Sequence, residues 1–336
     1  MNAERRSYMI IVHAPTEISG QMRTLVSGLR QAGYKTNGYN WFNSFLNYNG
    51  SVVNTDAYEL IKLIDPLVNY ADLFHFHNGN TFVVNNFDVP LILDKGKKMI
   101  MHHWGNDVRK AKGALSMNPY PIPPSYLTDE AIHDSLTYFS KYMKHAIVQD
   151  YEIYPHVTDY YEHVHVLPLA CRHHSIPYAY PSPHNNNPVI IHAPTNREFK
   201  GSVYIEKAIG ELKLTNPFTY MTVEKMNHQQ AMQMYLQADI IVDQLLCGTY
   251  GVLSVEAMAM GKVVVAYVRD DVRAKFPDDL PIMVANPDTL RDVLLHLLQN
   301  PELRYKLGVA GRAYVERYHA VENVIPKLLD IYSKIE

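Results

Sequence analysis

A chain of 336 residues exceeds what one hydrophobic core ordinarily supports, so two domains are the first expectation. Its 47% hydrophobic and 19% charged residues exclude a disordered chain, and a net charge of −3 leaves no electrostatic footprint for nucleic acid. No stretch approaches a membrane span, and Cys171 and Cys247 lack metal or disulfide spacing; both point to a cytoplasmic protein, with peripheral contact at the inner face of a membrane left open.

The chain opens on a short apolar strand over 8–12. Arg5 and Arg6 precede it, but the run is too brief for a secretory signal. A loop ending at Ser19 and Gly20 leads into a helical pattern over 21–32, and Gly33 follows as a helix stop. Further strands are expected at 71–77, 97–103, 145–150 and 164–170. Between Cys171 and Pro188 hydrophobic periodicity disappears and Pro, Asn and His dominate, the composition of a linker. PVIIHAP at 188–194 then echoes MIIVHAP at 9–15 and opens a second half. Helices near 202–212, 228–237 and 252–260 alternate there with strands near 218–224, 239–244 and 263–268, and helices near 287–298, 301–318 and 321–334 close the chain. This alternation predicts an α/β protein of two Rossmann-like, doubly wound parallel-sheet domains, 1–170 and 188–318, joined by 171–187. The last helix, 319–336, is expected to cross back to the first domain. Ligands of such sheets bind at the carboxyl ends of the strands, in a cleft between the domains.

GTYGVLSVEAMAMGK at 248–262 is the most specific segment. Gly248 and Gly251, with Thr249 and Tyr250 between them, stand before a helix whose first-turn amides, from Val252 and Leu253 onward, have no partner within the helix. Such a turn lets a phosphate approach closely. Glu256, one turn in, could accept the paired hydroxyls of a ribose. A tight strand-to-helix turn with a solvated acid is the plainer alternative. At another strand end, HAPTNREFKGS at 192–202 presents Asn196, Arg197 and Lys200, and the two cations could neutralise a diphosphate.

In the first half, Gly20 and Gln21 would face the cleft. HHWGNDVR at 102–109 offers His102 or His103 for a sugar hydroxyl or phosphate, strand phase deciding which, with Asp107 and Arg109 ordering the loop. The seventeen histidines raise the question of metal. However, HFH at 75–77 and HH at 102–103 and 173–174 come without an accompanying carboxylate or Cys pattern, so no metal is predicted. NPYPIPPSY at 118–126 reads as an acceptor-side loop or a rigid connection.

The order TNREFKG, ADIIVDQ, GTYGVLSVEAMAMGK and NPELRYKLGVAGRAYVERYHAVENV closely resembles the carboxyl-terminal domain of GT-B fold, retaining glycosyltransferases of the family 4 type. The resemblance implies that Arg197 and Lys200 bind a donor diphosphate, that Glu256 binds its ribose, and that no metal or other cofactor is needed. It departs at Gly248, where the family often carries the first Glu of Glu-x7-Glu. The implied reaction moves a sugar from a nucleoside-diphosphate-sugar to a hydroxyl of a saccharide, lipid-linked or small-molecule acceptor, in bacterial surface glycan or glycoconjugate synthesis. Alternatives are a sugar-nucleotide epimerase of the same fold and a catalytically weakened partner subunit.

Overall fold

The computed structural model describes residues 9–42, 44, 46–48 and 50–336; Arg5, Arg6 and Tyr8 lie outside the described residues. The first sheet has seven strands: β1 Ile11–Ala14, β2 Thr36–Asn40, β3 Val53–Asn54, β4 Leu73–His77, β5 Lys98–His103, β6 His145–Val148 and β7 His163–Val166. All pair in parallel, in the order β3-β2-β1-β4-β5-β6-β7. Its helices are α1 Gln21–Gln31, α2 Ala57–Tyr70, α3 Asp88–Asp94, α4 Ala111–Met117 and α5 Asp129–Tyr142.

The second sheet is formed by β8 Val189–His192, β9 Thr219–Thr222, β10 Ile240–Val242, β11 Val263–Ala266 and β12 Met283–Val284, parallel in the order β12-β11-β10-β8-β9. Around it lie α6 Arg197–Lys200, α7 Ser202–Leu212, α8 His228–Tyr235, α9 Val252–Ala259, α10 Asp270–Arg273, α11 Leu290–Gln299 and α12 Pro301–Tyr314, and α13 Val321–Ser333 ends the chain. Strands β10 and β11 are apolar and buried along their whole length, as strands covered by helices on both faces must be. Strand order reverses between β1 and β4 and again between β8 and β10. The loops after these strands therefore open at the two switch points, where α/β sheets bind ligands.

The region 36–70 carries two strands and a helix where the sequence reading had its next strand only at 71–77. The reason is local. TNGYN has no apolar run, and its Gly38 admits Val52 so closely that a Cβ would lie 2.7 Å from Val52 Cγ2. Helix α2 carries Pro66 within its length yet is well started, because the Asp56 carboxylate accepts the amides of Tyr58 and Glu59 at 2.9 Å. The helix expected over 301–318 is α-helical only to Tyr314 and continues as a π-helical turn, Val315–His319.

That turn lies where the chain returns to the first sheet. The Cys171 amide donates to the His319 carbonyl at 2.7 Å, and the Val321 amide to the Cys171 carbonyl at 3.0 Å. Beyond it, α13 packs on α1, and Val324, Ile325, Leu328 and Tyr332 share a core with Ile11, Leu25, Leu29, Leu73 and Ile100. Gly28 permits the approach: a Cβ there would lie 2.6 Å from Ile325 Cγ1 and from Val321 Cγ2. Among the described residues, no helix is long and apolar enough to cross a membrane.

Candidate active site

Two adjoining cavities occupy the cleft and share Ser19 and Val252 in their walls. The first, about 570 Å³, is bounded by Gly20, Gln21 and Tyr48 on one side and His228, Val255 and Glu256 on the other. The second, about 630 Å³, is bounded by Trp104, Asn106 and Arg109 across from Asn196, Lys200, Gln244, Thr249 and Gly251. Val252, first residue of α9, therefore touches both.

Lys200 reaches this second cavity from the end of α6. Asn196 caps that single turn, its side chain accepting the Phe199 amide at 2.9 Å, and Gly201 in left-handed conformation ends it. The ammonium donates to Asp243 Oδ1 at 2.6 Å and Gln244 Oε1 at 2.8 Å, both at the end of β10. Asp243 is fully buried and also receives the Gly251 amide at 3.2 Å and the Ser254 hydroxyl at 2.7 Å. Burial alone would raise its carboxyl, but Lys200, Ser254 and the Gly251 amide outweigh burial and hold it below its ordinary range. One buried anion thus fixes both a lysine and the head of α9. The amides of Val252 and Leu253 follow, with no carbonyl inside the helix to reach.

Glu256 lies on the same helix, facing the first cavity. Its Oε1 is 2.6 Å from His228 Nε2, and the Tyr48 ring leans on His228 with centroids 4.5 Å apart. Burial would lower the His228 imidazole, but the carboxylate outweighs it and the group titrates above its ordinary value. Two carboxylates thus bear on α9 in different ways: Asp243, buried after β10, holds its head beside Lys200, and Glu256, one turn in, lines the first cavity.

Other residues singled out from the sequence are placed elsewhere. Arg197 does not join Lys200: at the first position of α6 it points outward, held by Glu206 and by Glu224 at 2.6 Å. Gly248 has φ +83°, and a Cβ there would lie 2.7 Å from Arg269 Cγ, so an arginine side chain covers the position where the resemblance had placed a first glutamate. Tyr250 turns away from the cleft and its hydroxyl meets His319 at 3.0 Å. Thr249 lines the cleft, and its hydroxyl donates to the buried Asp150 of the first domain at 2.9 Å. Leu253 is half-buried against the apolar core behind α9. Gly20 and Gln21 line the first cavity, although the Gln21 amide is spent on the Ala170 backbone in two reciprocal bonds of 2.9 and 3.2 Å.

Neither His102 nor His103 opens onto the cleft; each is 1% exposed, and Trp104 occupies the wall instead. His103 is tied to the loop: its Nδ1 is 2.7 Å from Asp107 Oδ2 and its Nε2 2.9 Å from the Tyr161 hydroxyl. Asp107 Oδ1 accepts the Trp104 and Gly105 amides at 3.0 and 2.8 Å, which fixes the loop, and Arg109 grips Glu152 while lining the cavity.

His102 ends a buried chain of hydrogen bonds whose direction can be derived. The Trp104 indole can only donate, here to His77 Nδ1 at 3.3 Å, so His77 must donate from Nε2 to His13 Nδ1 at 3.0 Å. His13 Nε2 then donates to the Tyr332 hydroxyl at 3.3 Å, Tyr332 to His75 Nδ1 at 2.6 Å, and His75 Nε2 to His102 Nδ1 at 3.2 Å. The chain ends on His102 Nε2, buried and without a hydrogen-bond partner among the described residues. Burial lowers all four imidazoles, His13 to about 3, so the chain is neutral. Although His13, His75 and His77 bring ring nitrogens within 4.8 Å of one another, every lone pair there is already accepting a hydrogen bond.

Sequence reading missed Tyr48, His228, Asp243 and Gln244. Asp243 and Gln244 carried a signal, two polar residues directly after the apolar run Ile240–Val242 at a strand's carboxyl end. Tyr48 and His228 carried none, since only the fold brings them to Glu256.

Residues 207–330 match a family model described as glycosyl transferase-like. No curated protein sequence matches. Among solved structures, an Anabaena protein, HepE, in complex with UDP and glucose is similar with a TM-score of 0.68 at 11% identity, over 97% of this chain and 100% of that one. Sucrose-phosphate synthase from Thermosynechococcus elongatus gives 0.64 at 11% identity, over 97% and 98%. WaaG, a glycosyltransferase involved in lipopolysaccharide biosynthesis, gives 0.61 at 12% identity, over 97% and 100%. Residues 207–330 thus carry a glycosyl transferase-like sequence, and the chain as a whole has the GT-B fold of glycosyltransferases.

Proposed function

We propose that the chain is a retaining glycosyltransferase that moves a sugar from a nucleoside-diphosphate-sugar to an acceptor hydroxyl and needs no metal for the transfer. The observation that carries this reading is α9, which presents its amide head, beside Lys200 of α6, to one cavity and Glu256 to the other. A nucleoside diphosphate laid along it would set its ribose at Glu256 and its phosphates at Val252, Leu253 and Lys200.

In the transfer, the bond from the anomeric carbon to the terminal phosphate oxygen breaks and its electron pair stays on the phosphate. The acceptor oxygen bonds to the same face of the sugar, and its proton goes to the departing phosphate. Lys200 and the α9 amides stabilise the negative charge that grows there, an interaction stronger in the transition state than in the ground state. Arg197 and Glu206 lie outside this path, so Lys200 is the cation assigned to it. Trp104 supplies a wall for the sugar or acceptor, and closing of the domains about 171–187 would exclude water.

UDP and glucose occupy the HepE structure, and WaaG belongs to lipopolysaccharide biosynthesis; by analogy we assign this chain a nucleotide-sugar donor and a saccharide or lipid-linked acceptor in surface glycan synthesis. Arg269 covering Gly248 favours one second reading, a partner subunit that binds donor with weakened turnover. A thermal-shift panel of UDP-, GDP-, TDP- and ADP-sugars tests the proposal. At least one should raise Tm in the wild type and none in Lys200→Ala with Glu256→Ala; stabilisation by none of them overturns it. Single-turnover transfer with the stabilising sugar then separates an active transferase from a weakened one.

A further inference from the structure

We propose that His173, His174 and Glu322 bind one late first-row divalent cation, Zn²⁺ foremost, at the point where the chain passes between its domains. The sequence reading set these histidines aside for want of a carboxylate. The fold supplies one from the other end of the chain, in the first turn of α13.

A ligand atom from each of the three side chains lies within 4.8 Å of the other two, with His173 Nδ1 and Glu322 Oε2 4.0 Å apart. The two imidazoles lie against each other with centroids at 3.7 Å. Independently, His173 Nδ1 is buried without a hydrogen-bond partner among the described residues, an unmet polar atom directed into the cluster. His174 and Glu322 are exposed, so a cation can enter from solvent.

Metal bonds of about 2.0–2.2 Å in a tetrahedron set ligand atoms roughly 3.4 Å apart, so closing the site takes about 1 Å of motion from the two exposed side chains. Two imidazoles and one carboxylate select Zn²⁺, Ni²⁺ or Cu²⁺ over Mg²⁺ and Ca²⁺. Arg312, which donates to the His173 carbonyl at 3.3 Å, is already engaged by Glu316 at 2.7 Å and by the Ala259 carbonyl at 2.7 Å.

The position gives the site a role. His173 and His174 begin the turn after Cys171, and Glu322 follows Val321, so the ligands flank the backbone pairing of Cys171 with Ala320. A bound cation would clasp the two crossing strands of chain together. Cys171, Arg172 and Ser175 line the first cavity, and the clasp would therefore stiffen one wall of it. This inference is independent of the proposed transfer.

Isothermal titration of ZnCl₂ into tag-free protein tests it. One site with a Kd of roughly 1–10 μM is expected, with Mg²⁺ giving no heat. His173→Ala and Glu322→Gln should each weaken Zn²⁺ at least about tenfold, whereas His184→Ala, an exposed histidine elsewhere in the same connection, should leave it unchanged. Amide exchange at 171–175 and 320–324 should slow on adding Zn²⁺ in the wild type and not in Glu322→Gln, a surface change that leaves the core intact. Equal Zn²⁺ affinity in wild type, His173→Ala and Glu322→Gln, or no binding up to about 100 μM, overturns the proposal.

Discussion

The Lys200 ammonium sits 2.6 Å from the buried Asp243 carboxylate, which also takes the Gly251 amide at the head of α9. The lysine and the helix head are therefore positioned by one anion before any ligand arrives, and such preorganised charge does not have to be reoriented during reaction. Lys200→Met is expected to lower kcat by about 10²–10³-fold with a smaller change in KM. Asp243→Asn should cost about 1.5–3 kcal/mol of stability, read from urea unfolding, because the carboxamide carries no charge and keeps one acceptor oxygen where Lys200 needs Oδ1 and Gly251 and Ser254 need Oδ2. Equal kcat in wild type and Lys200→Met would remove Lys200 from the chemistry.

Placing a glutamate at 248 should destabilise the chain. A side chain there must adopt φ +83° and meet Arg269 Cγ, so Gly248→Glu is expected to cost roughly 2–4 kcal/mol from left-handed backbone strain and overpacking. Adding Arg269→Ala should recover the packing part, and a double mutant measured by urea unfolding reads it. An unchanged midpoint in Gly248→Glu would show that Arg269 moves aside freely.

The pair of His228 and Glu256 gives stability a defined pH dependence. His228 is raised above 6.5 in the folded chain, so the stabilisation is fully present below pH 6.5 and is lost as pH rises through the raised value. The Tm difference between wild type and His228→Asn should accordingly be largest near pH 6 and shrink toward pH 9. A difference that grows with pH contradicts the pairing.

Tyr332 joins two halves of the buried histidine chain, accepting from His13 and donating to His75. Tyr332→Phe leaves both groups unmet in a site without water access, and a loss of about 1–3 kcal/mol is expected. Nitrogen shifts of the imidazoles should also report the change, since the tautomers of His75 and His102 are no longer fixed by the hydroxyl. Retained stability with unchanged shifts would mean that the chain is ordered some other way.

The second half was the more legible from sequence. Its strands are unbroken apolar runs such as Ile240–Val242 and Val263–Ala266, and Lys200 and Glu256, singled out from the sequence, both line the cleft. In the first half, TNGYN and the Pro66-containing α2 show neither period clearly. Proximity in sequence misled in two places. Arg197 lies three residues before Lys200, but exposed Glu206 and Glu224 hold the arginine outside the cleft while buried Asp243 holds the lysine in it. His102 and His103 stand at the expected strand end, yet rings from neighbouring strands and Tyr161 bury both, which no local pattern encodes.

The pairing of Cys171 with Ala320 carries a last consequence. The chain leaves the first sheet and returns to it at hydrogen-bonded neighbours, 2.7 Å from amide to carbonyl, and α13 then completes the first domain's core. Topologically, everything between these two residues is an insertion into the unit built on the first sheet, with entry and exit side by side. Entry and exit side by side leave the inserted half tethered at one point, and its orientation on the first half is set by contacts made across the cleft, such as Thr249 to Asp150 and Asn118 to the Leu246 carbonyl.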